Sequence, residues 1–117
     1  MMSLRTRILV VDAPDECAQL GVILSGDYDV RCVSSAREAL ALLGAEPFGL
    51  VLLGGVDEVQ KVLKGLSCSR HRPKVILLTP SWCPEVLSLA VEVGADGVLA
   101  SRDAGEVAAS VAAHLRS

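Results

Sequence analysis

Few residues in this 117-residue chain are equipped for chemistry, and they stand where short apolar runs end. Asp12 closes the run at 8–11, Gly54 and Gly55 close the uncharged stretch that starts at Phe48, Thr79 closes 75–78, and Ser101 follows Val98-Leu99-Ala100. Asp12 could serve a hard cation, but one carboxylate completed by waters holds Mg²⁺ only weakly. Ala13 beside it adds no donor, and Gly54 carries no nucleophilic oxygen. No base, nucleophile and oxyanion donors stand together as a catalytic set. The expectation is a chain that is not an enzyme and carries no cofactor or metal. Thr79 suits a hydrogen bond to a neighbouring loop. Asp57 reads as a first-turn helix carboxylate paired with Lys61 one turn on.

The four cysteines, Cys17, Cys32, Cys68 and Cys83, form no C-x-x-C pair and have no histidine at zinc-finger spacing. Cys68 precedes one apolar run and Cys83 follows it, so they belong at opposite ends of a strand and cannot be bridged. Cys17 and Cys32 read as small buried hydrophobes, and all four as free thiols in a reducing compartment. His71 lies in the basic loop Arg70-His71-Arg72 with no second ligand near it in sequence.

The positions at the run ends need a frame to bring them together. Runs buried on both faces, each followed by turn residues and a helix-period segment, mark βαβ units on a parallel sheet, whose carboxyl-end crevice is where ligands bind. Strands are expected at 8–11, 29–33, within 48–55, at 75–78 and at 98–100. Pro14, with Asp15 and Glu16 behind it, opens a helix over Pro14–Leu24. Ser35-Ala36-Arg37-Glu38 has capping-box spacing and opens a second, with Ala39, Leu40, Leu42 and Leu43 as its buried face and Gly44 as its stop. Val59, Val62, Leu63 and Leu66 recur at helical spacing within 56–66. Pro84 opens a fourth helix, with Val86, Leu87, Ala90 and Val91 as its stripe and Gly94 as its stop. Asp103 caps a fifth, whose stripe is Val107, Ala108, Val111, Ala112 and Leu115. The sum is an α/β fold with five strands and five helices in alternation.

Composition narrows the function classes. Hydrophobic residues make up 51% of the chain and Phe48, Trp82 and Tyr28 are its aromatics, so the core is aliphatic. A net charge of −3 lacks the basic footprint that nucleic-acid phosphates demand. No apolar run reaches the length of a membrane span, and the start lacks a secretory apolar region, which predicts a cytoplasmic protein with no membrane partner. One domain is expected over 8–117, preceded by a short extension at 1–7.

Four blocks in register carry a resemblance over nearly the whole chain. Ile8-Leu9-Val10-Val11-Asp12, Leu50-Val51-Leu52-Leu53, Val75-Ile76-Leu77-Leu78-Thr79 and Gly94-Ala95-Asp96-Gly97-Val98-Leu99 resemble the conserved blocks of response-regulator receiver domains of two-component systems. The resemblance implies a flavodoxin-like, doubly wound (βα)5 sheet of strand order 2-1-3-4-5. It also implies where phosphoryl chemistry would sit, and most of that set is replaced here. Asp12 matches the first acid, but Ala13 stands at the second and Gly54 at the phosphoacceptor. Thr79 matches the hydroxyl position, whereas Ser101 replaces the lysine and Arg102 the proline after it. Val98 occupies the aromatic switch position, and the connection after Gly54 is shorter than usual. The implied reading is a pseudo-receiver that keeps the scaffold and acts without phosphorylation on a protein partner, a fused output or kinase domain, or a second copy of itself. Its working face would carry Trp82, Val98, Arg102, Val111 and Leu115. The alternative is a switch that uses a non-standard group, such as Asp12 or Asp57, or a small ligand in the same crevice. A flavin-binding variant of the fold is disfavoured, because Ala13-Pro14-Asp15 is not a Ser/Thr-rich phosphate loop.

Overall fold

The computed structural model describes residues 6–26, 28–54, 73–78, 88, 91, 95–99 and 103–116. Five strands, β1 (Arg7–Val11), β2 (Asp29–Val33), β3 (Leu50–Gly54), β4 (Lys74–Leu78) and β5 (Gly97–Leu99), form one parallel sheet of order β2-β1-β3-β4-β5. Three helices are described: α1 (Pro14–Leu24), α2 (Ala36–Ala45) and α3 (Ala104–Arg116). The doubly wound architecture and strand order match the expectation. The expected helices at 56–66 and 84–94 fall largely outside the described residues.

Alternation along the central strands builds the core in two layers. Odd-numbered Leu9, Val11, Val51, Leu53, Val75 and Leu77 pack with Ala36 and Ala39 of α2 and with Phe48. Even-numbered Ile8, Val10, Leu50, Leu52, Ile76 and Leu78 pack with Cys17, Leu20 and Leu24 of α1 and Val107 and Val111 of α3. All five β3 residues are buried, as a strand covered by helices on both faces requires.

Helix starts follow their local chemistry. Pro14 occupies the first turn of α1. Ser35 caps α2, its hydroxyl accepting from the Glu38 amide at 3.2 Å. Asp103 caps α3 through Oδ2, which accepts from the Glu106 amide at 3.1 Å. Three packing expectations need correction. Gly44 lies inside α2, and the helix instead ends at the extended cap residue Glu46, whose amide donates to Leu42 O. Leu40 sits on the outer side of α2 and is 36% exposed, because Ala36 and Ala39 already fill the closest approach to the sheet. Of the fourth expected helix, residues 88 and 91 are described, both helical, and Val91 is 84% exposed rather than part of a buried stripe.

Candidate functional site

Asp12 follows β1 directly, and its amide donates to Val33 O at 3.2 Å, which carries the β1–β2 ladder one residue past the strand. The next residue, Ala13, is the N-cap of α1 and supplies no side-chain cap. The Asp12 carboxylate compensates: Oδ1 accepts from the Ala13 amide at 2.8 Å, placing negative charge at the positive end of α1. Asp12 is the buried polar residue among those described, 8% exposed at the carboxyl edge of the sheet.

The β1–β3 register aligns Val11 with Leu53, so Asp12 and Gly54 follow side by side. A Cβ built on Gly54 would lie 2.2 Å from Asp12 Oδ2, 2.5 Å from Cγ and 2.9 Å from Oδ1, closer than real Cβ contacts come. The carboxylate therefore occupies the space that any side chain at position 54 would need. A side chain at position 54 would have to displace this carboxylate, so glycine at 54 and the position of Asp12 belong to one arrangement.

Asp12, Ala13 and Gly54 are thus brought together as expected, whereas Thr79 and Ser101 lie outside the described residues. So do Trp82 and Arg102, and also Asp57, Lys61, His71, Cys68 and Cys83. Of the expected working face, Val98 and Leu115 are half-buried and pack against the two core layers. Val111 is fully buried. It faces the sheet between Val107 and Leu115 and cannot serve as a surface contact, which corrects its placement on that face.

A second cluster, which the sequence did not reveal, ties β4 and β5 to α3. The Asp96 carboxylate accepts from the Val75 amide at 2.8 Å, and the Asp96 amide donates to Val75 O at 2.9 Å, so Asp96 engages both backbone groups of Val75 near the start of β4. His114 faces carbonyls with both ring nitrogens, Nδ1 at 2.9 Å from Ser110 O and Nε2 at 3.2 Å from Asp96 O. Lys74 Nζ donates to His114 O. A Cβ on Gly97 would come within 2.7 Å of His114 Nε2, so glycine there leaves room for the imidazole.

With this geometry in place, solved structures supply the comparison. The chain matches the signal receiver domain of an HD domain-containing protein from Pseudomonas fluorescens Pf-5 with TM-score 0.85 and 22% identity, covering 99% of this chain and 90% of that one. It matches a CheY-like response regulator receiver domain protein from Methanospirillum hungatei JF-1 with TM-score 0.83 and 22% identity, over 97% of this chain and 95% of that one. The signal receiver domain of a putative LuxO repressor protein from Vibrio parahaemolyticus gives 0.83 and 20%, over 97% and 92%. The chain has the receiver fold. At these identities the likeness is one of architecture. No protein-family model matches the sequence, and neither does any curated protein. Within the receiver fold, the Asp12–Gly54 contact sits at the carboxyl ends of β1 and β3, where the topological switch point opens the crevice. No described helix is long and apolar enough to cross a membrane.

Proposed function

We propose that this chain is a receiver-type signalling module that works without phosphorylation, presenting its surface to a protein partner, an attached output or kinase domain, or a second copy. The observation that carries the reading is the Asp12 carboxylate lying in the space of a side chain at position 54. In-line phosphoryl transfer needs a positioned nucleophilic oxygen and a metal to neutralise the developing charge. Gly54 removes the first. The donor set also fits Mg²⁺ poorly, since Asp12 is largely shielded from water, already accepts from the Ala13 amide, and is followed by Ala13 rather than a second acid. Among the described residues no group of three His, Cys, Asp or Glu side chains could hold a metal. The proposed working face includes Trp82, Val98, Arg102 and Leu115, since aromatic and arginine side chains are frequent anchors of interfaces.

Incubation with acetyl phosphate and Mg²⁺, followed by intact-mass spectrometry, tests the proposal. The expected result is no stoichiometric phosphoryl adduct. A hydroxylamine-labile adduct mapping to Asp12 or Asp57 would overturn it and establish a switch with a non-standard acceptor.

A further inference from the structure

Beside the crevice, on its β2 side, Pro14, Cys17, Ala18, Cys32, Val33, Ser34 and Glu38 line a cavity of about 350 Å³. Two of these residues are thiols from different elements, one on α1 and one on the edge strand β2. Cys32 Sγ lies 3.4 Å from Cys17 O, and both side chains line the same pocket. The α1 residue one turn beyond Cys17 is Gly21, where a Cβ would stand 3.7 Å from Cys32 Sγ, so Cys32 rests on α1 at the Cys17–Gly21 stripe. Their accessibility differs: Cys17 is buried and Cys32 is exposed, which corrects the sequence expectation for Cys32.

We propose that Cys17 and Cys32 form an intramolecular disulfide on exposure to a hydroperoxide, making this pocket a site of reversible oxidation. The exposed Cys32 reacts first. Its thiolate attacks the terminal oxygen, an S–O bond forms as the O–O bond breaks, and the alcohol (water, for hydrogen peroxide) leaves with a proton, giving a sulfenic acid. The Cys17 sulfur then attacks that sulfur, the S–S bond forms, the S–O bond breaks, and water departs carrying the Cys17 proton. The pair loses two electrons and the hydroperoxide gains them. Burial raises both thiols above their ordinary range, Cys17 to about 12. Cys17 Sγ also faces the carbonyls of Asp12, Val33 and Val10 at 3.5, 3.6 and 3.8 Å, which suit a thiol and oppose a thiolate. Thiolate is therefore scarce at neutral pH, and the rate climbs about tenfold per pH unit below the Cys32 pKa.

The test uses the full chain carrying Cys68→Ser and Cys83→Ser, treated with hydrogen peroxide across neutral to mildly alkaline pH. Support is a monomer lighter by two hydrogens, a non-reducing peptide map linking Cys17 to Cys32, reversal by dithiothreitol, and dimedone trapping of Cys32 once Cys17→Ala removes the resolving thiol. Oxygen addition at Cys32 with Cys17 still open to alkylation after denaturation, or a Cys32–Cys32 crosslinked dimer, would overturn the proposal.

Discussion

Replacing Gly54 with alanine tests the arrangement at the crevice through stability alone. The added methyl cannot coexist with the Asp12 carboxylate where it stands, since three of its atoms lie within 2.9 Å of the new Cβ. The carboxylate must rotate away, losing the bond from the Ala13 amide. A hydrogen bond to a charged group contributes about 1.5–3 kcal/mol, and an off-rotamer side chain costs about 0.5–1.5 kcal/mol more. Against this, alanine in a strand interior gains about 0.5–1 kcal/mol over glycine. The net loss is then about 1–4 kcal/mol, which for a domain of this size lowers Tm by about 4 °C per kcal/mol. With Asp12→Ala in place the clash is gone, and Gly54→Ala should be neutral or stabilising by about 0.5–1 kcal/mol. The double-mutant cycle, measured by urea denaturation, should therefore show a coupling of about 2–4.5 kcal/mol. If the two changes add to within about 0.5 kcal/mol, Asp12 does not occupy the space above Gly54.

Substitutions at two other positions probe separate parts of the molecule. Asp96→Ala removes the acceptor of the Val75 amide and should cost about 1–3 kcal/mol by thermal denaturation, whereas Asp96→Asn, which keeps an oxygen in reach, should cost distinctly less; equal losses would show that the bond is not what holds β4 to that turn. Trp82→Ala should weaken self-association in sedimentation velocity, or capture of an attached partner domain, with Tm nearly unchanged. A fall of several degrees with association intact would remove Trp82 from the proposed face.

Much of the fold was legible in the chain because its determinants are local. Pro14, Ser35 and Asp103 start their helices through groups within a turn of themselves, and the short uncharged apolar runs of β1, β3 and β4, buried on both faces, need only a few consecutive residues to be seen. Where several elements compete for the same apolar surface, local pattern did not suffice. Leu40 belongs by type to a buried stripe, yet small alanines let α2 approach the sheet on a different side and leave Leu40 outward. Val111 belongs equally to a surface stripe or a core, and only the packing of α3 into the core layer it shares with α1 decides for the core.

The site divides in the same way. The residue types at the strand ends were enough to show that Gly54 cannot accept a phosphoryl group, since absence of an oxygen is a property of the residue itself. That Asp12 turns its carboxylate into the space beside Gly54, that Cys17 and Cys32 share one pocket, and that Gly97 makes room for His114 are relations between residues far apart in the chain. They depend on the β1–β3 register, on the lie of β2 against α1 and on the closure of α3 over β5. Those are set by the burial of both sheet faces at once, a condition no single window of sequence contains.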